Sequence, residues 1–277
     1  MLFRSRKLAG MKLYSGPLSM FGARAEIALR EKGIPFELEM VPFEMKVLYE
    51  PKHPEVVRIN PKRQVPVLIN GDLELFDSTQ IFEYLETLKR DPALWPAEPR
   101  ARARARLLEH KSDEVYFPHI IRLMTDSKAP GAHDAAARFY EEMDRTIGGQ
   151  EWIAGAYSYA DIAFYMAQLF GERMGAPVPA GLVRLQAWRD RMSDRAAVRL
   201  QLAEAHLQQG GLARPVGADD AEPIAGAEVE VERLQDRAFA VALAGAAQAQ
   251  HEVAEPRPFG DRELELGGGR RRRFGDQ

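Results

Sequence analysis

The sequence predicts an α/β domain followed by an all-α domain, on three observations. Short strand-like runs alternate with helical periodicity up to residue 91, a proline-dense break follows at 92–99, and from Arg100 the periodicity is wholly helical. The order is strand, helix, strand, a looser segment, two strands and a closing helix, then helices only. Leu13-Tyr14 opens the first strand. Arg24 to Lys32 reads as a helix stopped by Gly33, which can take the left-handed conformation that ends helices. Phe36 to Val41 alternates as a second strand after Pro35, and Met45 to Arg58 is a helical or irregular crossing. Val65 to Ile69 and Leu73 to Phe76 flank Asn70-Gly71-Asp72, a hairpin turn, and Ile81 to Leu88 is the closing helix. The prolines of Pro92-Ala93-Leu94-Trp95-Pro96-Ala97-Glu98-Pro99 make the linker. Beyond it lie helices at Ala101 to Met124, Ala132 to Ile147, Tyr159 to Met174, Leu182 to Arg191 and Ala196 to Leu207. The expected organisation is an extension at 1–10, an α/β domain at 11–91, a linker at 92–99, a helical domain at 100–209 and a disordered tail at 210–277, rich in Ala, Gly, Arg and Glu.

Composition narrows the function classes. A chain of 277 residues has room for two modest domains and a sizeable core, and its net charge of −3 gives no push toward nucleic acid or an anionic membrane. Cysteine is absent, which excludes disulfides, thiolate metal sites and a protein thiol as nucleophile. The six histidines show no metal-ligand grouping. No apolar run is long enough to span a bilayer, and MLFRSRKLAG is basic without the apolar core of a signal peptide, so a cytoplasmic location is expected. The ARARAR run at 101–106 spreads its charge around a helix and reads as a solvated face. Ser158-Tyr159-Ala160-Asp161 has capping-box spacing at the start of an apolar helix and reads as structural.

The chemistry centres on INPKRQVPVL, from Ile59 to Leu68. Proline at 66 after β-branched Val65 removes a ladder donor inside a strand-like run. One reading is a strand that simply begins at Pro66. The other is a cis Val65-Pro66 bond that turns the chain and leaves the N–H and C=O of Val65 free to hold an extended peptide. Asp77-Ser78-Thr79 follows, directly before a helix. An acid and hydroxyls there suit a helix cap, and suit equally an α-amino-acid's ammonium and carboxylate, the carboxylate lying on the helix N–H groups.

These features together resemble the glutathione transferases, whose N-terminal half is thioredoxin-like with the order βαβαββα. The resemblance runs from Met11-Lys12-Leu13-Tyr14 to about residue 205. It implies a thioredoxin-like domain joined to an all-α domain, with glutathione as cosubstrate and no metal. Val65 would pair with the cysteinyl backbone of glutathione, and Asp77 and Ser78 would hold its γ-glutamyl end. Gln64 and Arg63 stand where family members reach the peptide's carboxylates, and Lys52 lies on a preceding segment that often contributes a basic residue. Ser19, in the loop Ser15 to Gly22, matches the catalytic serine of theta-, delta- and zeta-like members, and its hydroxyl would favour thiolate over thiol. Ser15 is the second choice, at the place of a tyrosine in some bacterial members. Met20 and Phe21 depart from the polar or cysteine residues common after that serine, and the zeta Ser-Ser-Cys signature is absent, so the subclass stays open. Met20, Phe21, Tyr116 and His119 would line the pocket for the electrophile. Tyr116 and His119 share a helix face at a spacing of three, a spacing at which aromatics also build interdomain core. The resemblance further implies a homodimer and a detoxifying transferase acting by conjugation, dehalogenation, ether cleavage or isomerisation. A non-catalytic regulatory protein on the same fold, working through protein partners, is the alternative.

Overall fold

The computed structural model describes residues 10–203 except 45, 46 and 48. The expected tail at 210–277, the extension up to residue 9 and the helical stretch beyond 203 lie outside the described residues. Four strands, β1 (Met11–Ser15), β2 (Glu37–Met40), β3 (Val67–Asn70) and β4 (Leu73–Phe76), form a mixed sheet in the order β2-β1-β3-β4. β1 runs parallel to β2 and antiparallel to β3, and β3 and β4 close the hairpin with Gly71 at φ 66.

Side-chain alternation along the strands assigns the two faces. Met11, Leu13, Leu68 and Leu75 point to the face covered by α1 (Met20–Glu31) and α3 (Ser78–Leu88), where they join the main core. Tyr14, Val67 and Ile69 point to the other face. There they meet Val41, Val56 and Ile59 in a smaller cluster closed by α2 (Pro54–Ile59). Arg58 of α2 pairs with Glu74 of β4 at 2.5 Å on this face.

α1 begins four residues earlier than Arg24, because the Ser19 side chain accepts the Gly22 N–H at 3.0 Å and caps the extra turn. It ends as expected before Gly33. Gly33 N–H bonds to Arg30 O and Ile34 N–H to Leu29 O, the two bonds of a Schellman turn, with Gly33 at φ 55. α3 likewise begins at Ser78, not Ile81, since Asp77 caps Thr79 and Gln80.

The helical part comprises α4 (Pro99–Lys111), a π turn (Ser112–Tyr116), α5 (Phe117–Thr125), α6 (Ala132–Ile147), α7 (Tyr159–Arg173), α8 (Val183–Ser193) and further helical residues at 196–203. The single helix expected from Ala101 to Met124 is therefore two helices. Pro118 offers no N–H to the carbonyl four residues back and its ring crowds that carbonyl, so the preceding turn widens.

The two parts are joined by packed aromatics. Tyr159, first in α7, stacks on Phe82 of α3 at 3.9 Å between ring centres, and Trp95 of the connecting segment sits edge-on to Phe82 at 5.2 Å. The connection is pinned by fully buried Lys32, whose ammonium meets Glu86 at 2.6 Å and donates to Lys89 O and Pro92 O. Glu86 in turn accepts the N–H groups of Leu94 and Trp95. At the far end of α1, Arg195 forms a two-pronged pair with Glu31 at 2.6 and 2.8 Å.

Candidate functional site

Sheet direction brings the relevant segments to one end. The last residues of β1, β2 and β4 and the first of β3 lie along the same edge, because β1 opposes β3 and β3 opposes β4. Tyr14, Val67 and Phe76 stand abreast. At this edge Ser15 ends β1, Pro66 directly precedes β3, and Asp77 directly follows β4 and leads into Ser78 of α3.

The Val65–Pro66 peptide bond is cis. Val65 precedes β3, and among the described residues neither its N–H nor its C=O has a backbone partner. The approach to it is fixed by Asn60, a buried residue that sequence reasoning passed over. Its amide donates to Gln64 O at 2.5 Å and its side-chain oxygen accepts Lys62 N–H at 2.9 Å, while Arg63 N–H bonds to Asn60 O at 2.8 Å. The Asn60-Pro61 dipeptide was the available signal, since it favours turn initiation.

Among the described residues, Arg63 (φ 55) and Asp77 (φ 74) are the two non-glycine residues in the left-handed half of backbone space. Such conformations are uncommon for residues with a Cβ and gather where function holds them. Here they flank Val65 and Ser78. Asp77 is exposed and spends one carboxylate oxygen on the cap, accepting Thr79 N–H at 3.0 Å and Gln80 N–H at 3.2 Å. Ser78 behind it is buried. Thr79 is held from the helical part, its hydroxyl donating to Glu109 at 2.6 Å. Burial pushes the Glu109 carboxyl above the usual range, with Thr79 and Arg24 acting against that shift. No local signal marks Glu109, which lies thirty residues from its partner.

Ser19 is half-buried at the N-terminus of α1. Its oxygen already accepts Gly22 N–H, which leaves the hydroxyl proton available to an acceptor in front of the helix. Ser15 is enclosed at 1 % exposure, under the first turn of α1. A Cβ at Gly22 would stand 2.1 Å from its Oγ. Gly22→Ala is therefore expected to lower the unfolding free energy by about 1–3 kcal/mol through overpacking, seen as a lower urea midpoint.

The expected pocket residues divide. Met20 turns into the core, and Tyr116 is fully buried with its hydroxyl 2.5 Å from that of Tyr140, so Tyr116 takes the core role of the two its spacing allowed. Phe21 is partly exposed and meets Phe117 edge-on at 5.5 Å. His119 is also partly exposed. Burial, then Arg122 and Arg138, lower its pKa. Lys52 is half-exposed, 3.5 Å from Glu50 and 5.8 Å above the Tyr49 ring. Among the described residues, no group of three or more His, Asp or Glu is placed to hold a metal ion, and no helix is long and apolar enough to cross a membrane.

Residues 18–88 match the family model described as glutathione S-transferase, N-terminal domain. The stringent starvation protein A homolog of Coxiella burnetii is 31% identical over 148 residues, covering 52% of this chain and 66% of that protein. The homolog of the same name in Pasteurella multocida is 32% identical over 166 residues, covering 60% of this chain and 71% of that protein. The fold is also that of a glutathione transferase family member from Pseudomonas fluorescens solved with two glutathione bound. The match has a TM-score of 0.58 and 24% identity, over 69% of this chain and 92% of that one.

Proposed function

We propose, since the chain belongs to the glutathione S-transferase family, that it binds glutathione across the end of the sheet and activates its thiol for attack on a small apolar electrophile. The observation that carries this reading is the state of Ser19. Its oxygen accepts the Gly22 N–H, and among the described residues its hydroxyl has no acceptor, at the positive end of a helix that follows the sheet edge bearing Pro66 and Asp77. The Val65 backbone, without a backbone partner among the described residues, would take the middle of the tripeptide as an added strand. The second oxygen of Asp77 would take the γ-glutamyl ammonium, with Ser78 at the helix start beside it. Lys52, Arg63 and Gln64 would stand toward the glycyl carboxylate.

The chemistry asked of the protein is modest. A free thiol ionises near ~8.5, and a hydrogen bond to a charged sulfur is worth roughly 1.5–3 kcal/mol, or about one to two pKa units. The Ser19 hydroxyl donates to the sulfur and the α1 dipole acts in the same sense. The thiol proton passes to solvent, the thiolate forms the new carbon–sulfur bond, and the electrophile opens or loses its leaving group. Phe21, Phe117 and His119 would border the electrophile. A homodimer belongs to the same reading.

Retention of the folded protein on immobilised glutathione tests the reading, and a protein that flows through overturns it. In a protein that binds, Ser19→Ala should raise the pKa of the bound thiol by about one unit or more, followed by thiolate absorbance against pH. An unchanged titration moves the role away from Ser19. Halogenated, epoxide and aryl-ether compounds then sort the electrophile. The two relatives named for a starvation protein favour a second reading, a non-catalytic protein on this fold that works through protein partners. Glutathione binding without turnover of any of these compounds would select it.

A further inference from the structure

We propose that Tyr49 is a positioning residue for the thiol-activating loop, a role that rests on the reading of Ser19 given above. Three contacts place it. The hydroxyl end of its ring packs against Gly16, so closely that a Cβ there would come within 2.6 Å of Tyr49 Cε1. Its hydroxyl accepts Leu18 N–H at 3.3 Å, one residue before Ser19. Its ring also packs against the cluster of Tyr14, Val41, Val56 and Val67, as Val65 does, with Phe43 beside it at 4.9 Å and the Lys52 ammonium 5.8 Å from its centre.

Tyr49 thus ties the loop that carries Ser19 to the cluster against which Val65 also packs. The loop from Gly16 to Ser19 has one internal backbone bond of its own, Ser19 N–H to Gly16 O at 3.0 Å, and Tyr49 supplies both the surface the loop lies on and the acceptor for its Leu18 amide. Only glycine at 16 allows that approach. Burial pushes the phenol's pKa upward, so the hydroxyl keeps its proton at any working pH. Such a residue acts on the sulfur through the placement of Ser19 and need not touch it.

The test is a double-mutant cycle read as the pKa of enzyme-bound glutathione. Tyr49→Phe removes one oxygen and retains the ring. It should raise the bound thiol's pKa by about half a unit to one unit, the scale of one lost hydrogen bond. The Ser19→Ala/Tyr49→Phe pair should titrate like Ser19→Ala alone. Additive shifts would mean that Tyr49 acts on the peptide directly and would overturn the proposal, as would an unshifted Tyr49→Phe. Gly16→Ala, which forces the ring away, should reproduce the Tyr49→Phe shift. Amide hydrogen exchange in the protein without glutathione decides the point separately from the functional reading. Leu18 and Gly22 amides should exchange faster in Tyr49→Phe, and equal rates overturn the positioning role even if glutathione never binds.

Discussion

Asp161→Ala is expected to remove roughly 3–5 kcal/mol of stability and to leave little folded protein at physiological temperature. Asp161 is fully buried and takes four donors. One oxygen accepts Ile153 N–H at 3.0 Å and Trp188 Nε1–H at 2.9 Å, and the other accepts Ser158 N–H at 2.9 Å and the Ser158 hydroxyl at 3.1 Å. Truncation strands three N–H groups away from water, and each stranded donor costs about 1–3 kcal/mol. Asp161→Asn can keep one pair of acceptor bonds but turns an amide NH2 against the others, so an intermediate loss is expected. The pH dependence has a definite sign. Burial pushes the carboxyl up to about 6 from 3.8, with the four donors pulling it back. A raised folded-state value means that the group's contribution is whole below pH ~4 and is lost as pH rises through ~6, a span worth about 3 kcal/mol. The stability gap between wild type and Asp161→Asn should therefore be wider at pH 4 than at pH 7. Urea midpoints at the two pH values check it, and a gap that widens toward pH 7 refutes it.

That residue shows how far local sequence carries. Ser158 and Asp161 are three apart and ahead of an apolar helix, so the box could be read directly. Its links to Ile153 and Trp188 could not, because Ile153 lies outside any capping spacing in the segment before α7 and Trp188 arrives only when α8 packs on α7. The same division runs through the candidate site. Val65-Pro66, Asp77-Ser78 and Ser19 are marked by residue type and by neighbours within a few positions. Glu109, Tyr49 and Asn60 do their work by holding those residues, and two of the three contact partners about thirty positions away. Both α1 and α3 begin ahead of their predicted starts for one reason. Ser19 and Asp77 cap, and a capped first turn extends the helix back to the residue after the cap, ahead of the apolar periodicity. The continuous helix expected from Ala101 to Met124 failed at a proline whose bending effect was legible but whose outcome, a widened turn, depends on what the displaced residues can reach.

What they reach is the second large effect. The widened turn presents Asp113 to Arg24 of α1, with guanidinium Nη1 at 2.7 and 2.8 Å from the two carboxylate oxygens. Arg24 is fully buried, lies 4.9 Å over the Phe21 ring, and its Nε and Nη2 have no hydrogen-bond partner among the described residues. Asp113→Ala would leave that cation enclosed without its counter-charge, and a loss of roughly 3 kcal/mol is expected, since breaking one side of a buried pair costs more than the pair contributes. Replacing both partners separates the two effects. Arg24→Met with Asp113→Leu should recover most of the stability lost in Asp113→Ala, because neither a buried charge nor its desolvation is left. Because α1 carries Ser19 at its N-terminus, the pair also bears on the thiol. If the ion pair sets the angle of α1 against the helical part, the stable double variant should still show a raised bound-thiol pKa. A double variant with wild-type stability and wild-type titration would confine the pair to holding the two parts together. A double variant no more stable than Asp113→Ala would refute the stranded-charge account altogether.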